Sequence, residues 1–148
     1  MADHAHKQIR TAIVTALTNL TTTATRVYAN RLRPMADADV PGLRIFLDDE
    51  NAEVIDMQAA YTQERTVTLV VEACVKATTA LDDTLDLISK EVEVALSGTV
   101  AVGSATISPI YTGMSFSDEQ SDKPVGVKAL RFSITYCAQS NAPDVLTS

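Results

Sequence analysis

Tryptophan is absent from this 148-residue chain, and aromatic residues make up only 5% of it. The interior must therefore be built from Val, Ile, Leu and Ala rather than around large rings. Histidine and cysteine are nearly missing as well, with two of each. That scarcity removes most routes to catalysis. No Ser-His-Asp arrangement can be assembled without a histidine in a cleft, and Gly-x-Ser-x-Gly does not occur. VGSATIS holds one glycine and no phosphate-loop pattern. His4 and His6 could suggest a metal clip, but His-x-His at a free terminus has no shell to orient it. They read as the polar start of a helix, so neither metal, cofactor nor enzyme is expected.

Long apolar runs are lacking too. The stretch from Ile9 to Leu20 is broken by Arg10 and several threonines. Nothing approaches the roughly 20 apolar residues of a membrane span, and no signal peptide is expected. Cys74 and Cys137 lie far apart without metal-ligand spacing, which fits a reducing cytosol. A disulfide between them is conceivable only if their strands are neighbours.

What is present is an ordinary globular composition, 46% hydrophobic and 21% charged. The length suits one domain, read as residues 1–138, with a tail at 139–148 that is loose or a docking arm. Net charge is −7, which argues against nonspecific nucleic-acid binding. The charge is segregated. Residues 1–34 hold five basic residues and one acid, whereas residues 35–65 hold eight acids and two basic residues. Complementary ends of this kind suit head-to-tail self-association, and they are equally what scattered solvated charge looks like.

Residues 4–20 have the clearest helical period. Ile9, Ala12, Ile13, Ala16, Leu17 and Leu20 form one stripe, with Asp3 as N-cap and Thr21–Thr23 as the stop. ATRVYANRL (24–32) reads as a short strand, and Pro34–Gly42 as a loop. Leu43, Ile45 and Leu47 alternate as a strand, residues 48–53 form a polar turn, and 53–58 pair back across it. Thr66–Lys76 is the strongest strand. Val67, Leu69, Val71, Ala73 and Val75 line one face. Val70 and Cys74 interrupt the polar residues of the other, where they mark a surface for a partner. The run from Asp48 to Arg65 is long for a hairpin and projects towards a neighbour or is a mobile loop.

A second helix spans 80–97, with Leu81, Leu85, Ile88, Val92 and Leu96 as its stripe. Thr79 caps it, Asp82 and Asp83 occupy its first turn, and Gly98 ends it. Asp82, Asp83 and Asp86 read as partners of the helix dipole rather than as a carboxylate site. Asp48, Asp49 and Glu50 lack the spaced oxygens of a calcium loop and read as a solvated turn. Strands at about 105–117 and 125–137 follow, joined by SDEQSDKP. In the last, Leu130, Phe132, Ile134 and Tyr136 face one way, with Lys128 at its exposed start. The order predicts an α+β fold: a mostly antiparallel sheet, two amphipathic helices packed on one face, and a projecting hairpin.

The amphipathic helix ending in Thr-rich chain leads into RVYANRLRPMADADVPGLRIFLDDE. An arginine-led strand, ERTVTLVVEACV, an acidic helix, LDDTLDLISKEVEVALSG, and a closing DKPVGVKALRFSITY follow. Over about residues 5–137, this order resembles the tail terminator (tail-tube completion) proteins of long-tailed bacteriophages. The resemblance implies a compact α+β subunit that forms a homo-hexameric ring on the last ring of the tail tube. Such a ring halts tube polymerisation and presents a surface to the head-completion or neck protein. It sits at the head-proximal end of the tail and is assembled in the host cytoplasm. DNA passes through its lumen without specific binding, and no membrane is involved. The proline loop would then lie at the subunit edge. Combined with the segregated charge, the likeness suggests that Arg26, Arg31 and Arg33 meet acids of the next subunit. Those acids are Asp48, Asp49, Glu50 and Glu53, or Asp82, Asp83 and Asp86. The alternatives are a neck protein on the portal side, or a small non-phage α+β ligand-binding module with a deep apolar pocket and no ring.

Overall fold

The computed structural model describes residues 3–29, 39–58, 60–76, 80–119 and 125–147. The chain runs α1 (Ala5–Leu17), β1 (Val27–Tyr28), β2 (Gly42–Asp56), β3 (Thr62–Lys76), α2 (Leu81–Ala95), β4 (Val100–Val102), β5 (Ala105–Ile107), β6 (Ile110–Glu119), β7 (Val125–Gln139) and β8 (Ala142–Thr147). The main sheet has the order β1-β2-β3-β7-β6, with β8 also paired to β7. β1 runs parallel to β2, and every other pairing is antiparallel. The expected α+β fold, with a mostly antiparallel sheet and two helices, is what forms.

The helices follow from their stripes. Ala5, Ile9, Ile13 and Leu17 of α1 are fully buried. Leu85, Ile88, Ser89 and Val92 of α2 are buried beside them. Both helices rest on one sheet face, α1 over β1, β2 and β8 and beside β4, α2 over β3 and β7. There they meet Ile45, Val67, Leu69, Val71, Leu130, Phe132 and Ile134, all buried in one core. At roughly 1.5–3 kcal/mol per fully buried aliphatic side chain, this two-layer contact is the main stabilising term. Gly103, at a left-handed φ of 61°, lies in the turn between β4 and β5.

Several local expectations change. α1 is capped by His4, whose side chain accepts the His6 amide, and not by Asp3. α2 begins after Ala80, which is left-handed at φ 56° and gives no side-chain cap. The expected cap, Thr79, lies outside the described residues. The C-cap of α2 is Leu96, whose amide bonds back to the Val92 carbonyl, while Gly98 keeps a negative φ. Of the strand read at 24–32, Val27–Tyr28 form strand among the described residues, and residues 30–32 lie outside them.

The largest change concerns residues 48–53, which are strand and not a turn. β2 runs unbroken from Gly42 to Asp56 and pairs with β3 along its length, with a register shift between Leu47 and Glu50. This bulge places two residues opposite one and reverses the alternation. Leu43, Ile45 and Leu47 face the helices before it, and Glu50, Ala52 and Val54 do so after it. The C-terminal segment is also built in. β8 pairs with β7, and Leu146 joins the core. Pro143 is accommodated because β8 lies at a sheet edge.

Candidate interaction surfaces

The helix-free face of the sheet is less open than its alternation suggested. Val70 is 3% exposed and Cys74 fully buried, so neither is a surface residue. Val40 and Val127 pack against Cys74. Val70 lies between Phe46 and Arg131 in the register, and Arg131 reaches Asp48 at 3.7 Å, above it. Arg44 pairs with Glu72 at 3.2 Å on the same face. Further along, the hydroxyls of Thr66 and Thr135 meet at 3.2 Å. This face is lined by short hydroxyls and by ion pairs closed within the subunit. Such a surface offers phosphates little to grip.

At the open end of the helix layer the bulge in β2 has a polar consequence. It turns Glu50 inward, where its carboxylate accepts from the Tyr136 hydroxyl and lies 3.0 Å from His6 Nε2. Arg65 shares that face, opposite both Ala52 and Tyr136. Burial alone would raise the pKa of Glu50. The hydrogen bonds from Tyr136 and His6, with the charges of His6 and Arg65, outweigh it and hold Glu50 below its ordinary value. Burial and the neighbouring carboxylate push Tyr136 well above its own. The cluster pins the first turn of α1 to β2 and β7. No alternation rule could have found it, because the bulge is not written in the residue pattern.

The charged residues singled out in the sequence separate into two groups. Arg26 donates to the Pro41 carbonyl at 2.6 Å and the Thr22 carbonyl at 3.0 Å, both neutral acceptors. Arg31 and Arg33 lie outside the described residues. Asp48 and Glu50 have partners within the subunit, as above. Asp86 is 3.0 Å from Lys128 Nζ. Lys128 therefore does not lie at an exposed strand start: its side chain is only 12% exposed, on the helix side of the sheet. Asp49, Glu53, Asp82 and Asp83 are exposed. Among the described residues no cluster of His, Cys, Asp and Glu could hold a metal ion. None of their helices is long and apolar enough to cross a membrane.

Exposed large apolar side chains gather at a few places. Ile110, Tyr111, Met114 and Phe116 lie on edge strand β6, and Val54, Ile55, Met57 and Tyr61 around the β2–β3 turn. Leu87 and Val94 of α2, with Leu20, line an open groove of about 560 Å³. Neither cysteine is in a disulfide. Cys137 stands opposite Glu64, ten positions along β3 from Cys74, about 33 Å at strand rise.

No curated protein sequence matches the chain. Among solved structures, it is similar to a chain of the virion of a native gene transfer agent particle. The TM-score is 0.50 at 14% identity, covering 89% of this chain and 91% of that one. At that identity the likeness speaks for the fold. The family model described as phage minor tail protein U matches residues 4–136, nearly the whole folded region. The chain thus belongs to the phage minor tail protein U family, and is a structural protein of the phage tail.

Proposed function

We propose that this protein caps the tail tube as a homo-hexameric ring, stops its polymerisation and supplies the surface for head–tail joining. The observation that carries the reading is the chain-long match to a phage tail family. The shape of the subunit supports it. Its sheet ends in two unlike edges, short β1 beside β2 on one side and β6 followed by β8 on the other. A subunit with unlike sides makes heterologous contacts, and these close into a ring when the rotation per subunit divides the circle.

The action is steric. One ring face binds the end of the tube, and the other lacks the surface that the next tube ring would need. Arg26, Arg31 and Arg33 meet acids of the neighbouring subunit, either Asp49 and Glu53 or Asp82 and Asp83, all four of which are exposed. Asp48, Glu50 and Asp86 are already engaged within their own subunit. The partners are further copies of this chain, the tail tube protein and a head-completion or neck protein. The ring stands at the head-proximal end of the virion tail and is assembled in the host cytoplasm. DNA passes its lumen unheld, in keeping with the net charge of −7. No bond-making step is involved.

Tube length is the test. Adding the purified protein to polymerising tail tube protein should shorten the tubes in proportion to its concentration, and the protein should cosediment with them. Unchanged tube lengths, or sedimentation with portal-side proteins instead, would overturn the reading.

A further inference from the structure

The surfaces that meet in the ring follow from the edges of the sheet, an inference that rests on the ring reading. We propose that successive copies join edge to edge, β6 of one copy lying antiparallel against the β1–β2 edge of the next.

β6 is a lightly guarded edge. Natural edge strands are blunted by lysine, proline, bulges or brevity. β6 is ten residues long, IYTGMSFSDE, with no Lys, Arg or Pro, and its one bulge lies near its start, between Tyr111 and Gly113, ahead of Met114 and Phe116. Ile110, Tyr111, Met114 and Phe116 are between 43% and 64% exposed.

The helix side of β6 also lacks a cover. By register, Tyr111 stands beside Phe132, Met114 beside Leu130 and Phe116 beside Lys128, all on the helix side. Tyr111 meets the Phe132 ring edge-on, with centroids 5.7 Å apart. α2 rests on β3 and β7, and α1 rests on β1, β2 and β8 beside β4, while β5 packs on β7 and β8. Neither helix packs closely on β6 itself, and its helix-side strip stays bare. A neighbour that sets its β1–β2 edge beside β6 brings its own α1, which covers that edge, next to the bare strip. The occupant that completes the layer is therefore a second copy of this chain.

Direction and charge agree. β2, β3, β7 and β6 are antiparallel in succession, so β6 runs opposite to β2. Copies in the same orientation, as ring symmetry demands, meet with antiparallel edges. Arg26 immediately precedes Val27, which pairs with Leu43, and the register continues through Ala73 and Lys128 to Phe116. The start of α2 stands over the same level, with Leu81 against Gly126 and Asp86 on Lys128. Arg26 is thus level with Asp82 and Asp83 from the opposite side of the sheet, and the joint brings them towards each other. Asp49 and Glu53 lie on the same edge as Arg26 and do not meet it. Of the two acidic sets, the geometry selects Asp82 and Asp83.

The experiment follows oligomers by sedimentation velocity and negative-stain imaging, for the protein alone and with purified tail tubes. Wild type and the groove variant L87E/V94E form rings. M114E/F116E, folded by circular dichroism because both positions are exposed, loses rings at least tenfold. R26E loses them too, and D82R/D83R restores them in that background where D49R/E53R does not. Rings at wild-type level in M114E/F116E, a closed dimer through β6, or rescue by D49R/E53R would overturn the edge assignment while leaving the ring reading intact. Absence of rings in wild type under both conditions would overturn the ring reading itself.

Discussion

Glu50 Oε1 lies 3.0 Å from His6 Nε2, which ties the first turn of α1 to the middle of β2. With the Tyr136 hydroxyl on the same carboxylate, Glu50 is held below its ordinary value of 4.5. A carboxyl depressed in the folded state contributes stability that is present above the unfolded pKa. It is lost as pH falls through the folded one. The melting temperature of wild type should therefore drop between about pH 5 and pH 3 more steeply than that of Glu50→Gln. Near neutral pH the variant should melt lower, and the gap should close in acid. Tyr136→Phe should cost about 2 kcal/mol in urea unfolding near neutral pH, the net worth of a hydrogen bond to a charged carboxylate.

A methyl group on Gly126 would fall 2.8 Å from Leu81 Cδ2. The obstacle is the far end of a flexible side chain, so the clash is relieved by moving Leu81 off the sheet. Gly126→Ala should destabilise by about 1 kcal/mol, at the low end of overpacking. In combination with Leu81→Ala most of that cost should vanish, a non-additivity that a double-mutant cycle in urea measures.

These contacts show where the sequence was informative. The two helices were legible because Ile9, Ile13 and Leu17, and Leu85, Ile88 and Val92, repeat at the helical period and have one face to bury. The central strand was legible because Val67, Leu69, Val71 and Ala73 alternate over a covered sheet face. Asp48, Asp49 and Glu50 misled, because acids in a row are common in turns. Here tertiary pairing with β3 holds them in a strand, and the bulge hides one of them inside. That one shift conceals the Glu50–His6–Tyr136 cluster, and with it the true length of the β2–β3 hairpin. β8 was hidden for a related reason: Ala142–Thr147 contains Pro143 and becomes a strand only through its partner β7. The uncovered strip on β6 was beyond reach, since exposure there depends on where the helix layer ends.

The Lys128–Asp86 pair illustrates how little an ion pair contributes when one partner is exposed. The Asp86 side chain is 72% exposed, so solvent screens its attraction to Lys128. Asp86→Asn should change unfolding free energy by less than about 1 kcal/mol. Lys128→Met should fall within about the same range, because the lost pair is offset by the lost cost of a partly buried ammonium.

Cys74 is buried and Cys137 half-buried, and both are free thiols. A thiol reagent should titrate one group readily in the native protein, Cys137, and the second only with unfolding. Under mild oxidation the monomer should form no internal disulfide, because strand geometry holds the two apart. A native protein that loses two thiols together to an intrachain bond would contradict the register of β3 on β7.

The most direct measurement of the whole account is an image reconstruction of purified tail tubes incubated with this protein. The account predicts a closed six-fold ring at one end of each tube, with no tube growth beyond it. Tubes left bare at both ends, or copies of the chain bound along their length, would contradict it.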